Sequence, residues 1–393
     1  MSDVRVRRRD GGLAILSNGF RPFFLSGALW AVVAVMAWLP QYFGELSLSN
    51  AFQPMDWHAH EALFGYGGAV VAGFLLTAVP NWTGRLPLRG RPLLGLFLVW
   101  LAGRIAVALS GHIGWAAAAV VDCAFLVVLS LAIAREIVAG KNWRNLRVLV
   151  VVALLAAANV MFHIEAHFSG DAAHSRRFAV AALVALIMLI GGRIVPSFTH
   201  TYLQQRRVIG RLPPKFGRFD GLCMAVSALA LVGWVVAPEN TIVGVALIGA
   251  GLLNFARLAR WAGERTSGEA LVLVLHLAYL FIPIGFVLSG LAALIPALSP
   301  SAGLHAWAVG GIGGMTLAVM TRASLGHTGH RLHAGQGTKL LYLAIAVAAP
   351  ARIAAALAPQ WSFVLLHVAA FAWLAAFLGF ALIYGPMLFR SRL

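Results

Sequence analysis

Acidic residues are scarce in this 393-residue chain, where 13 Asp and Glu stand against 30 Lys and Arg. Charge of either sign makes up only 11% of residues, whereas a soluble globular protein carries about 25%. Together with a 61% apolar content, that shortage excludes an ordinary soluble domain. Cysteine is nearly absent: Cys123 and Cys223 are the only two, both inside apolar runs, and no Cys-x-x-Cys-His motif occurs. Covalent haem attachment and an iron–sulfur cluster are therefore excluded, and any haem must be held by packing and side-chain ligation. No ten-residue segments of alternating polarity occur, which excludes a transmembrane β-barrel. No small-residue cleavage site follows the first apolar stretch. Arg7-Arg8-Arg9 therefore reads as a positive anchor for the first span rather than a twin-arginine export signal.

What the chain has instead is apolar runs of about 20 residues, long enough to cross a hydrocarbon core of about 30 Å. They fall at about 20–40, 58–80, 92–110, 113–138, 145–168, 177–200, 219–236, 240–262, 269–294, 301–323, 338–358 and 361–386. Lipid offers no partner to an open sheet edge, so the spans must be helical. The expected fold class is all-α: a polytopic integral membrane protein of about twelve transmembrane helices, forming a single domain over residues 1–393. With the N-terminus inside, the inner segments hold 24 of the 30 basic residues. The outer loops hold only Arg176 and Arg177, while Arg21, Arg104, Arg193 and Arg352 fall within spans. This split follows the positive-inside rule and predicts that both termini are cytoplasmic. The basic excess then expresses topology, with anionic membrane lipid as its partner and no nucleic acid.

Within this frame eight of the 13 histidines map to the outer side: His58, His60, His112, His163, His167, His174, His305 and His367. Ionisable groups at membrane depth are costly and mark functional sites, and imidazole is a common ligand of metals and of haem iron. The densest motif is Trp57-His58-Ala59-His60-Glu61 at the outer end of span 2, preceded by Pro54 and Asp56 as a turn and N-cap. At about 100° per residue, His58 and Glu61 lie about 60° apart on one face while His60 points elsewhere. A histidine here could ligate metal while Glu61 orients a ring or moves protons; the plainer reading is an interfacial polar cap. His163 and His167, at i and i+4, form a possible two-ligand metal chelate or an outer rim, with Glu165 between them as a second proton carrier. His305 and His367 are candidate haem ligands, or hydrogen-bonded helix histidines.

Arg104 sits about 9 Å below the outer end of span 3 and Asp122 about 14 Å down span 4, so the two are expected to pair. The pair is either structural, an anchor for haem propionates, or part of a proton path; Arg352 is a second propionate candidate. Arg322 at the inner end of span 10 follows the positive-inside rule, and His327, His330 and His333 lie in an inner loop. Pro283 should kink span 9. Span 10 carries Gly310, Gly311, Gly313 and Gly314, which suit close helix packing or, less readily, a planar cofactor. Val79-Pro80-Asn81-Trp82-Thr83, Val195-Pro196-Ser197-Phe198-Thr199 and Val319-Met320-Thr321 end spans 2, 6 and 10, an echo that suggests internal four-helix units.

Three segments resemble the NnrS family. They are Trp57-His58-Ala59-His60-Glu61 continuing to Val79-Pro80-Asn81-Trp82-Thr83-Gly84; Gly191-Gly192-Arg193 through Phe198-Thr199; and His305-Ala306-Trp307 through Gly313-Gly314-Met315 and Thr321-Arg322 to Gly326-His327-Thr328-Gly329. In the family pattern the last motif continues with Arg-Pro, whereas here His330-Arg331-Leu332 intervenes. The resemblance implies a twelve-span bacterial inner-membrane protein that contains haem and copper and is associated with denitrification and resistance to nitric oxide. The expectation is therefore a b-type haem and copper protein with its site near the outer side. Nitric oxide or a related small ligand would be its partner, and its electron donor is unidentified. Its metal would sit among His58, His60, His163 and His167, and its haem among Arg104, His305, Arg352 and His367. Glu61 and Glu165 would be the catalytic carboxylates. A secondary transporter is the alternative, supported by buried Arg, Asp and His and by a broken span 9. A haem–copper oxidase relative would need adjacent histidines, and no His-His pair occurs.

Overall fold

The computed structural model describes residues 13–207 and 209–392. The N-terminal anchor at Arg7, Arg8 and Arg9 lies outside the described residues. Among the described residues there is no strand, and twelve helices are long and apolar enough to cross a membrane. They are α1 (Phe20–Tyr42), α2 (Pro54–Thr83), α3 (Arg91–Ala108), α4 (Trp115–Ala139), α5 (Trp143–Ser169) and α6 (Ala173–Gln205). The second half comprises α7 (Arg218–Val236), α8 (Thr241–Arg265), α9 (Ala270–Leu294), α10 (Pro300–Thr328), α11 (Gln336–Leu357) and α12 (Pro359–Phe389). Their outward faces are apolar: Leu131 is 64% exposed, Leu229 74% and Phe371 66%. Water would not tolerate such a belt on a monomeric surface; lipid does.

Neighbouring helices pack in sequence, and α1 packs against α12, closing a ring. The guanidinium of Arg21 in α1 secures that closure by donating to the carbonyls of Leu388 and Arg390, both at 2.7 Å, where α12 runs out of intrahelical partners. The three helices that carry the echoed endings, α2, α6 and α10, line one shared apolar pocket.

Three local features depart from the sequence-based expectations and shape the site. First, α2 begins at Pro54, so Asp56 lies within its first turn rather than capping it. The Asp56 carboxylate instead accepts from the Ala172 N–H at 3.2 Å and pairs with Arg176 at 3.0 Å. Second, α6 begins at Ala173, which draws the expected loop residues Arg176 and Arg177 into its first turns. Glu165 and Asp171 are the cause. Glu165 accepts from the His174 and Ser175 N–H groups at 2.9 and 2.7 Å, and Asp171 from that of Ala173 at 2.8 Å, satisfying donors that a helix start leaves free. Third, α2 and α10 each contain a π-helical stretch, Glu61–Gly67 and Ala306–Gly313. Wide π turns shift the face that later residues present and often occur at functional sites.

The glycines of α10 serve packing. A Cβ at Gly310 would run into the Phe281 ring, and one at Gly313 would meet the Trp373 ring at 2.6 Å. Pro283 sits within a continuous α9, so the interrupted helix that would favour a transporter is not seen there.

Candidate functional site

Two polar constellations occupy the same end of the bundle. The first is wholly buried between α1, α2, α3, α4 and α5. Arg104 of α3 donates through Nη1 to both Glu61 oxygens at 2.7 Å, and through Nη2 to Asp122 Oδ1. Trp30 of α1 donates to Glu61 Oε2 at 2.6 Å. His60 bridges the two acids, with Nδ1 2.9 Å from Glu61 Oε1 and Nε2 3.1 Å from Asp122 Oδ2. Two groups of α5 complete the set on Asp122 Oδ2: His163 Nε2 at 3.1 Å and Asn159 Nδ2 at 2.8 Å. The backbone is shaped to admit this network. A Cβ at Gly65 would lie 2.8 Å from Arg104 Nη1, and one at Gly103 would lie 2.9 Å from Asp122 Oδ1.

The network has one guanidinium against two carboxylates, so with both acids ionised it is one positive charge short of neutrality. A buried uncompensated charge is expensive, so the deficit must be met by a proton on the histidines or by a metal ion. The ligand set for the latter is present. One ligand atom each from His60, Asp122 and His163 lie within 4.8 Å of one another. Glu61, already receiving Arg104, can hold the proton of His60 on Nδ1 and free Nε2 for a metal, the carboxylate–histidine arrangement common behind metal ligands.

The second constellation is a cavity of about 410 Å³ between α1, α2, α6, α7, α9, α10, α11 and α12. Cofactor and small-molecule sites range over roughly 300–1,000 Å³. Its walls are mainly apolar, with the aromatic rings of Trp38, Trp234 and Trp373 among them. Two histidines face it, His58 from α2 and His305 from α10. His58 is stacked on Trp38, with ring centroids 4.1 Å apart, and its buried Nδ1 has no hydrogen-bond partner. His305 Nδ1 lies 2.8 Å from the Ser301 carbonyl. A carbonyl only accepts, so this nitrogen carries the proton and Nε2 keeps its lone pair. Arg176, Arg177 and Arg352 also line the cavity, opposed by the single acid Glu239. Arg352 donates to Ser301 Oγ at 3.3 Å, linking it to the residue that orients His305.

A family model described as NnrS protein matches residues 14–392, nearly the whole chain. The chain belongs to the NnrS family. No curated protein matches it.

In this family member the sequence-predicted residues divide among several environments. Glu61 joins His60 rather than His58: its carboxylate is drawn to Arg104 and Trp30 and there meets the Nδ1 of the adjacent His60. His58 lies in the cavity with His305 and Arg352. His60, His163 and Arg104 meet in the buried network, so Arg104 lies away from the cavity where carboxylates could be received. His167 does not join His163: its exposed ring stacks on Trp115 with centroids 4.3 Å apart. His367 bonds to the Phe363 carbonyl at 2.7 Å and stacks on Phe43, outside the cavity lining. Glu165 is occupied by His174 and Ser175 at the start of α6. His112 is exposed.

Sequence reasoning left Asn159 and Trp30 out of the site and placed Arg176 in a loop. Asn159 carried a signal, being a polar residue inside an apolar span. So did Arg176-Arg177, the only basic pair at the histidine-rich end.

At the opposite end Arg322 lies over the Phe198 ring at 4.0 Å, and His333 pairs with Glu269 at 2.9 Å. Glu269 precedes α9 and also accepts from the Leu271 and Ala334 N–H groups. Burial alone would raise its carboxyl, but the donors from His333, Leu271 and Ala334 outweigh it and hold the group below the usual carboxylate range.

Proposed function

We propose that this protein binds b-type haem in the large cavity and copper at the His60–Asp122–His163 cluster, and that it acts on nitric oxide or sequesters it. The observation that carries the reading is the buried, unpartnered Nδ1 of His58 in a cavity shared with a His305 whose Nε2 is free. Arg176 is already paired with Asp56, but Arg177 and Arg352 have no carboxylate partner among the described residues and suit the two carboxylates of a haem, and the tryptophan walls suit its plane. His58 and His305 would hold the iron, and Arg177 and Arg352 would receive the propionates. When bound, haem iron would supply a redox-active centre for nitric oxide chemistry.

The chain's own residues set the conditions for that chemistry. Ser301 fixes the His305 tautomer through the Nδ1 proton. The apolar walls exclude water. In the cluster, imidazole nitrogens with one carboxylate are a donor set that suits copper, and Glu61 holds the proton at His60 Nδ1. Nitric oxide is small and apolar and partitions into lipid, so a site at membrane depth meets it directly. The charge asymmetry of the loops supports placing this end of the bundle outside, with both termini in the cytoplasm of a bacterial inner membrane.

The test is cofactor content. Protein purified from cells amply supplied with haem should show a Soret band, release its pigment into acid–acetone, and contain copper that His60→Ala and His163→Ala remove. A colourless, copper-free protein overturns the proposal.

A further inference from the structure

The shared interior of α2, α6 and α10 holds a second cavity, of about 70 Å³, whose lining includes Val70, Ile190 and Met315. A water needs only roughly 10–15 Å³ of such space but also two to four polar partners. Among the described residues, the one polar side chain lining this space is that of Thr316. Its hydroxyl lies 2.6 Å from the Ile312 carbonyl and 2.9 Å from that of Gly313, and it is also bonded to the Tyr66 hydroxyl. Carbonyls only accept, so Thr316 donates to them and Tyr66 donates to Thr316. Both hydroxyl protons are thereby used, and the one lone pair left on Thr316 falls short of the two to four partners that hold a water. A polar or charged ligand would be equally unmet here, since burying an unpaired polar group costs free energy.

The cavity adjoins the larger one. Ile312 lines both; Tyr66 lines the larger and its bonding partner Thr316 the smaller. One wall separates them, built from the π stretches of α2 and α10, to which Tyr66 and Ile312 belong. An apolar space with too few polar partners to hold water takes up small apolar molecules such as xenon.

We infer that the second cavity is a binding site for a small uncharged apolar gas, held one residue layer from the large cavity. Only the identification of that gas with nitric oxide rests on the functional reading above. The experiment uses the full-length protein crystallised and pressurised with xenon, read by anomalous scattering. A xenon peak among Val70, Ile190 and Met315 is expected, and Val70→Phe, which fills the space, should abolish it. Ile190→Phe serves as a second filling variant from a different helix. Absence of xenon in the unaltered protein, or ordered water in its place, overturns the inference. A protein that lacks a Soret band yet binds xenon there would overturn the haem reading and leave the gas site standing.

Discussion

Charge accounting in the buried network makes a prediction that a simple count of hydrogen bonds does not. Replacing Arg104 by Met strands two carboxylates, Glu61 and Asp122, with His60 between them and no fixed cation. Breaking a buried charge pair from one side costs about 3–5 kcal/mol. Asp122→Asn is expected to be milder. It keeps one oxygen, which can go on accepting from Arg104, gives up the bond that Oδ2 accepts from Asn159, and leaves Arg104 balanced by Glu61 alone, so the network no longer lacks a cation. Its cost is that of weakening hydrogen bonds to a charged group, about 1.5–3 kcal/mol. The Arg104→Met/Asp122→Asn double variant should then be less damaged than the sum of the two, because the second change removes one stranded acid. Thermal unfolding of the four purified proteins in one detergent measures this. Asp122→Asn as damaging as Arg104→Met, or strictly additive losses, would refute the reasoning. Copper analysis of the same samples adds an independent readout: Asp122→Asn should lose the metal while remaining folded.

Other predictions concern separate parts of the molecule. Gly65→Ala drives a methyl against Arg104 and Glu61 and should cost about 1–3 kcal/mol of stability, read by the same unfolding assay. His167→Ala and His367→Ala should keep full haem and copper occupancy, since the two rings sit on Trp115 and on Phe43, away from both constellations; metal analysis checks this. A membrane-impermeant thiol reagent on whole cells should label Ser49→Cys and spare Lys215→Cys, both at exposed positions, with the native Cys123 and Cys223 buried. The reverse pattern would invert the proposed orientation. Because the Glu269 carboxyl is held low, its tether to His333 and Ala334 contributes fully above the ordinary carboxylate range and is lost only as pH falls through the lowered value. The protection factor of the loop around Ala334, which is exchange corrected for the pH-dependent intrinsic rate, should therefore stay flat from neutral to mildly acidic pH, and fall at all pH values in Glu269→Gln.

The membrane class was legible in the sequence because apolar runs and basic loops are direct consequences of lipid, and each of the twelve helices overlaps an expected span. The pairing of Arg104 with Asp122 was legible for a related reason, since two opposite charges in one helical hairpin have few alternatives to each other. The division of the histidines was not. Regular helical geometry grouped His58 with Glu61, but the Glu61 carboxylate was claimed by Arg104 and Trp30, and the His58 ring by Trp38. Spacing likewise joined His163 to His167, but the choice was made by tertiary partners: Asp122 drew one ring inward and Trp115 held the other at the surface. Arg176 and Arg177 read as loop residues because the acids that start α6 early, Glu165 and Asp171, act through space and not through periodicity.

The account stands most directly on whether His58 and His305 hold one haem. The measurement is the absorption and electron paramagnetic resonance spectrum of purified protein, compared with His58→Ala and His305→Ala. Alanine favours the helix, so each change should be chemical rather than structural. The account predicts a low-spin haem signal in the unaltered protein and its loss or conversion to high spin in each variant, at normal membrane levels. Identical low-spin spectra in all three proteins would contradict it.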